Sequence, residues 1–161
     1  MSIAIEKPNQ ADVLALIQEL DAYQDSLYPP EARYALDIES LMKENVLFAV
    51  ARSDGGVAMG CGALVLSGTN GELKRMFVKP QFRSQGIAQQ LLNFLERQSV
   101  LRGCHCVYLE TGPYQSVALR FYERQMYLRC GPFGDYQDHP LSVFMKKDLD
   151  TSQKNNLTEA A

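Results

Sequence analysis

The sequence predicts an α/β fold built on a mixed sheet, α+β in its chain order, and three observations carry that reading. Residues 46–79 read as three apolar strands separated by Asp-Gly and Gly-rich turns, the pattern of an antiparallel meander. Residues 72–111 read as strand, helix, strand, a unit whose two strands run parallel with a right-handed crossover. The chain has 161 residues, 46% hydrophobic and 22% charged, enough for one buried core and too apolar for a disordered polyelectrolyte.

The elements follow in order. Residues 2–6 form a short edge strand ended by Pro8. Asn9 is placed to cap a helix over 10–27, since Val13, Leu16, Ile17, Leu20 and Leu27 share one stripe. Pro29-Pro30 stops it, and Pro30 starts a second helix carrying Leu36, Ile38, Leu41 and Met42. Strands at 46–52, 57–67 and 72–79 are joined by turns at 53–56 and 68–71, and Pro80 closes the third. Ile87, Ala88, Leu91, Leu92 and Leu95 mark an amphipathic helix over 85–102, ended by Gly103. A strand at 105–111 comes next. A helix at 115–127 has Val117, Ala118, Phe121 and Tyr122 on its apolar stripe. A brief strand at 128–130, a loop at 131–136 and a strand at 141–147 complete one domain over 1–149. Residues 150–161 are polar, lack periodicity and read as a flexible tail.

Residue counts narrow the chemistry. With only His105 and His139, a three-histidine zinc site is impossible. Cys104-His105-Cys106 lacks a second ligand pair at usable spacing. Together with Cys61 and Cys130 these cysteines read as small hydrophobes, and no metal is expected. A net charge of −3 argues against a nucleic-acid partner, which needs a basic face. Residues 1–6 lack the basic and apolar regions of a signal peptide. No apolar run approaches the roughly 20 residues that cross a bilayer. A cytoplasmic protein with reduced thiols and no membrane partner is therefore expected.

The segment that carries chemistry is Arg83-Ser84-Gln85-Gly86-Ile87-Ala88, between a strand and a helix. A small-residue turn opening a helix leaves backbone N–H groups pointing outward, and the helix dipole adds to them. That makes an anion site suited to pyrophosphate. Gly86 allows close approach, while Lys79 and Arg83 add positive charge at its mouth. The dinucleotide pattern G-x-G-x-x-G fails here, with one glycine in the turn and an antiparallel meander before it. The Walker A pattern fails as well, because no Gly-Lys-Ser/Thr follows.

These residues carry a resemblance. Residues 72–80 followed by 82–92 resemble the acetyl-CoA-binding core of GCN5-related N-acetyltransferases (GNAT), whose Arg/Gln-x-x-Gly-x-Gly/Ala pattern is matched by 83–88. Residues 118–127 resemble the family's Asn-x-x-Ala-x-x-x-Tyr-x-x-x-Gly-Phe segment, with Gln115 where Asn is usual and Gln125-Met126-Tyr127 in place of a small-residue turn. Residues 130–136 with 140–145 resemble a bacterial subgroup. The resemblance implies the GNAT fold over 1–149: a mostly antiparallel sheet, a central splayed parallel pair and helices on both faces.

It also implies acetyl transfer from acetyl-CoA to a primary amine, by direct attack in a ternary complex. Met76, Phe77 and Val78 would bond the pantetheine arm as an added strand does. Arg83, Ser84, Gln85, Gly86, Ile87 and Ala88 would hold the pyrophosphate, with Gln115 nearby. An N–H near Phe77 would stabilise the oxyanion. Tyr122 matches the tyrosine that protonates the leaving thiolate. Glu72 matches the glutamate that takes the amine's proton, unless Lys74 holds it as an ion pair on one strand face shared with Met76, or a water chain replaces it. The acceptor, a small amine or an amino-acid-like molecule, would lie among Asp21, Asp25, Tyr28, Tyr34, Asp135, Tyr136 and Asp138, with Arg33 or Arg129 available for a carboxylate. Tyr127 reads as packing. The resemblance also implies a homodimer. A non-catalytic acyl-CoA sensor or partner-binding domain with the same fold is the alternative.

Overall fold

The computed structural model describes residues 1–33 and 37–152. Strands β1 (Ser2–Ile5), β2 (Val46–Arg52), β3 (Ala58–Ser67) and β4 (Asn70–Val78) pair antiparallel in chain order, as the turn signals require. β5 (Cys106–Thr111) pairs parallel with β4. The last strands, β6 (Leu128–Cys130) and β7 (Val143–Asp148), complete a seven-stranded sheet ordered β1-β2-β3-β4-β5-β7-β6.

Helices α1 (Ala11–Leu27) and α2 (Ile38–Leu41) cover one face, where Val13, Leu16, Ile17, Leu20 and Leu41 pack on Phe48, Val50 and Phe77. Helices α3 (Ile87–Leu101) and α4 (Ser116–Arg124) cover the other. There Leu91, Leu92 and Leu95 are fully buried against Leu73, Val107 and Leu109. Burying each leucine contributes about 1.5–3 kcal/mol, so the larger core sits under α3.

Several boundaries differ from the sequence reading, each for a physical reason. Gln10, not Asn9, caps α1, with no side-chain cap bond. Its amide donates instead to Glu6 Oε1 at 2.9 Å. The second helix is interrupted: Pro30–Ala32 forms one 3₁₀ turn. α2 starts only at Ile38, where Asp37 accepts the Ser40 N–H at 2.8 Å. Met42 is exposed rather than core, and Leu36 lies outside the described residues. Asn70 and Gly71 belong to β4, since a Cβ on Gly71 would reach the Leu64 side chain across the hairpin. α3 begins at Ile87 because Gly86 has φ +79°. α4 stops at Arg124, and Met126 takes φ +72°, a turn conformation usually left to glycine. Val117 is exposed, and Leu119 takes the buried position. β7 starts at Val143 and not at 141. Of the polar tail, residues 153–161 lie outside the described residues.

Two irregularities position the site. β4 and β5 pair only from Asn70↔Cys106 to Leu73↔Leu109, and beyond that the strands separate. Just past the separation β4 bulges: Arg75 and Met76 stand opposite Gly62 between the pairs Ala63↔Lys74 and Cys61↔Phe77. Arg75 sits at φ +60°, which for a residue with a Cβ costs on the order of 1–3 kcal/mol.

Candidate active site

Two cavities flank the gap between β4 and β5, and Leu20 and Gln115 line both. The larger, about 510 Å³, runs between the end of β4, the start of α3 and α4. Among the residues expected to bind cofactor, Met76, Phe77, Val78, Arg83, Ser84, Gly86, Ile87, Ala88 and Gln115 line it, as does Tyr122. Gln85 lies in the same turn without lining it.

The turn is shaped by two left-handed residues, Ser84 at φ +63° and Gly86 at φ +79°. Alternating hands of this kind curl successive N–H groups around a concavity suited to anions. The first bond across the helix start runs from Gln90 N–H to Gly86 C=O at 3.1 Å. The N–H groups of Ile87, Ala88 and Gln89 thus have no partner within α3. A Cβ on Gly86 would have room, so its left-handed backbone is what calls for glycine. Arg83 is held: its Nε donates to Val78 C=O at 2.9 Å and its guanidinium lies 5.7 Å from the Phe77 ring centroid.

Strand alternation decides which β4 amide faces the gap. Lys79 N–H donates to Met59 C=O at 2.9 Å, so Phe77 N–H also points toward β3. The Val78 N–H, next to Phe77, then faces the gap.

Tyr122 is 8% exposed, and its hydroxyl has no hydrogen-bond partner among the described residues. Burial pushes the phenol well above its usual range, keeping it protonated at neutral pH. Tyr127 is fully buried, with its hydroxyl on Glu96 Oε2 at 3.4 Å. Gln115 caps α4 without a side-chain cap bond. Its Oε1 accepts from Thr111 Oγ1 at 3.3 Å.

The smaller cavity, about 80 Å³, holds the charged groups. Glu72 and Lys74 share its β4 wall and form an ion pair at 3.3 Å. Tyr136 donates to Glu72 Oε2 at 2.6 Å and accepts from Lys74 Nζ at 2.9 Å. Met76 is not on that face: the bulge turns it toward α3, where it packs on the larger core. Tyr136 is delivered by the 131–142 loop, which is anchored by aromatic packing of Phe133 on Tyr108 and Phe144 at 4.9 and 5.7 Å.

Arg33 and Arg75 line the same cavity. Both are ion-paired to Asp21, Arg33 at 3.3 Å, and Arg33 also to Asp25. Asp21 and Asp25 thus stand behind the guanidiniums and do not line the cavity. Tyr28 does line it: its ring stacks on Tyr114 at 5.5 Å, and its hydroxyl accepts the Tyr114 N–H at 3.1 Å. Asp135 and Asp138 are exposed and line neither cavity. Arg129 is also exposed, 4.0 Å from Glu123 on the sheet edge, so it is not placed to hold a substrate carboxylate. Tyr34 lies outside the described residues. His105 is exposed, and His139 Nδ1 accepts the Leu141 N–H at 3.0 Å. The thiols are free, and no cluster that could hold a metal occurs among the described residues. No described helix is long and apolar enough to cross a membrane.

The sequence reading missed Glu110 and Arg75. Glu110 lines the small cavity from β5, and burial pushes its carboxyl up to about 7, with the Glu72 charge adding to this and the Ser142 hydroxyl and Lys74 opposing it. Its signal was available: it is the acidic residue in a strand, Cys106–Thr111, that otherwise holds no charge. Arg75 had no signal, because regular alternation sends Lys74 and Arg75 to opposite faces and only the bulge brings both to one cavity.

Comparison with known proteins agrees with this architecture. The model of the Acetyltransferase (GNAT) family matches residues 13–126. The chain is 43% identical over 151 residues to a protein of Azospirillum brasilense named IAA acetyltransferase, covering 92% of this chain and 98% of that one. A crystal structure from Klebsiella pneumoniae, described as an acyl-CoA N-acyltransferase, superposes with a TM-score of 0.79 at 39% identity, over 92% of this chain and 97% of its own. The PaiA N-acetyltransferase of Thermoplasma acidophilum, solved with coenzyme A, shares the fold at a TM-score of 0.68 and 22% identity, over 92% and 100%. With the splayed pair, the left-handed turn and a family match spanning most of the sheet, the chain belongs to the GNAT family and is an acyltransferase.

Proposed function

We propose that the protein transfers an acetyl group from acetyl-CoA to the amine of a small acceptor, with both bound at once. The observation that carries this is the meeting of the two cavities at the β4–β5 gap, through Leu20 and Gln115. The larger cavity fits the acyl donor. Its β4 wall has no partner strand on the gap side beyond Leu73, so an extended pantetheine arm can bond there by strand addition. The turn at 83–88 offers its outward N–H groups to a pyrophosphate.

The chain's residues then have distinct roles. The Val78 N–H faces the negative charge that develops on the thioester oxygen. Tyr122, kept protonated by burial, gives its proton to the departing sulfur. An alkylammonium, with a pKa near roughly 10.4, must lose a proton before it attacks. Two carboxylates line the acceptor cavity. Glu72, the one chosen from the sequence, is bonded to Tyr136 and paired with Lys74, which suits it to hold the loop in place. Glu110 is half ionised near pH 7 and is the better proton acceptor there.

Calorimetry with acetyl-CoA, followed by thiol release across a panel of small amines, tests the reading. Micromolar binding and turnover that Tyr122→Phe lowers are expected. Acetyl-CoA binding without turnover on any amine would refute catalysis and favour a sensor.

A further inference from the structure

The acceptor cavity is lined by charges of both signs, Arg33, Lys74 and Arg75 together with Glu72 and Glu110. Arg33 and Arg75 bring guanidiniums to it, with side chains 13% and 7% exposed. Asp21 bonds both and Asp25 also bonds Arg33, each from outside the cavity, which fixes the guanidiniums in orientation. Glu110, from β5, and Glu72 bring carboxylates, Glu72 already engaged by Lys74 and Tyr136.

Two acceptor classes fit poorly. A polyamine or aminosugar would bring extra positive charge against Arg33, Lys74 and Arg75, and like charges this close in a desolvated cavity are costly. A simple alkylamine would set only apolar substituents against the guanidiniums, which favour a charged or polar partner. At about 80 Å³ the cavity has room for the atoms of about five to eight waters, the size of a small amino acid.

We propose that the acceptor is a small amino acid, taken as a zwitterion, with its carboxylate on Arg33 and Arg75 and its ammonium at Glu110. The proposal rests on the acetyl-transfer reading above. Arginine presents paired donors that match a carboxylate and reject an uncharged group of similar shape. Glu110 accepts the ammonium proton, the freed nitrogen forms a bond to the acetyl carbon, the carbon–sulfur bond breaks, the sulfur takes the Tyr122 proton, and the nitrogen sheds its second proton to solvent, which returns one to Tyr122. The products are an N-acetyl amino acid and CoA.

The test compares alanine, serine and threonine with ethylamine, ethanolamine and alaninamide, following thiol release from acetyl-CoA. The acids are expected to exceed the amines and the amide by about 100-fold or more in kcat/KM, as rejection of a missing polar partner predicts. Arg33→Gln should raise KM for the amino acid by more than tenfold while kcat stays within a few-fold. Its acetyl-CoA affinity and circular dichroism report whether it is folded. Amines or alaninamide turned over as well as the acids would overturn the proposal and leave acetyl transfer standing. So would an unchanged KM in folded Arg33→Gln. Turnover of none of the six would overturn the proposal, and with acetyl-CoA still bound it would count against the wider reading too.

Discussion

Replacing Glu110 by Gln separates its proposed role from packing, because the change keeps the shape and removes the charge. In the folded protein the carboxyl titrates near 7 rather than at its ordinary 4.5. At 1.36 kcal/mol per pH unit, that difference corresponds to about 3 kcal/mol of preference for the protonated form. Solvent reaches part of the side chain, which lowers the figure to about 1–2 kcal/mol. The sign follows from linkage. Stability associated with a raised carboxyl is fully present below pH 4.5 and lost as pH rises through about 7.

Wild type should therefore lose about 1–2 kcal/mol on going from pH 4.5 to 8 that Glu110→Gln keeps, measurable by urea unfolding at both pH values. Activity should move the opposite way. In wild type, kcat/KM should fall tenfold per pH unit below about 7, as the base becomes protonated. Glu110→Gln should lose that limb and fall by about 10²–10⁴ on the plateau. Activity of Glu110→Gln within threefold of wild type with the limb intact would refute the assignment. Loss of the limb in Glu72→Gln instead would return the role to Glu72.

Three further substitutions probe other parts of the site. Tyr122→Phe should lower kcat by about 10²-fold or more and leave acetyl-CoA affinity within about twofold by calorimetry, because the lost hydroxyl has no hydrogen-bond partner among the described residues. Gly86→Glu places a negative charge at a left-handed turn residue and should abolish measurable acetyl-CoA binding in a chain that circular dichroism shows to be folded. Gly112→Ala puts a Cβ into the Tyr28 ring and hydroxyl. Overpacking of this kind costs about 1–3 kcal/mol, seen as a lowered urea midpoint, and the displaced Tyr28 should raise KM for the acceptor.

The parts of this fold that sequence reveals best are those set by local chemistry. Asp54-Gly55 and Gly68 mark tight turns, and the leucines of α3 fall at helical spacing, so the meander, the crossover helix and the parallel pair were legible before any coordinates. The turn at 83–88 was legible for the same reason, since its glycine and helix start lie side by side in the chain. What stayed hidden depends on contacts between distant segments. The smaller cavity takes Arg33 from the chain after α1, Arg75 and Glu72 from β4, Glu110 from β5 and Tyr136 from a loop more than sixty residues away from Glu72. No local pattern states that Asp21 will back the arginines or that Arg129 will end up on an outer edge. Helix ends were misjudged where backbone handedness, at Gly86 and Met126, overrode apolar periodicity.

The bulge in β4 links these observations. One extra residue opposite Gly62 follows directly on the point where β4 leaves β5, so the gap and the irregularity share a place in the strand. It reverses the alternation beyond Lys74. Met76 therefore turns toward α3 and into the larger cavity, while Arg75 joins Lys74 and Glu72 on the α1 side. Gly62 leaves room for this, because a Cβ there would overlap Met76 Sδ and push that side chain aside, and would approach Leu95 at 3.1 Å. The left-handed Arg75 costs on the order of 1–3 kcal/mol, and its ion pair with Asp21 helps to offset that. Removing the extra residue would restore regular pairing with β3 but send every side chain beyond it to the wrong face. The strain is thus located where the strand lines the larger cavity on one side and puts charge into the smaller one on the other, within a few residues of chain.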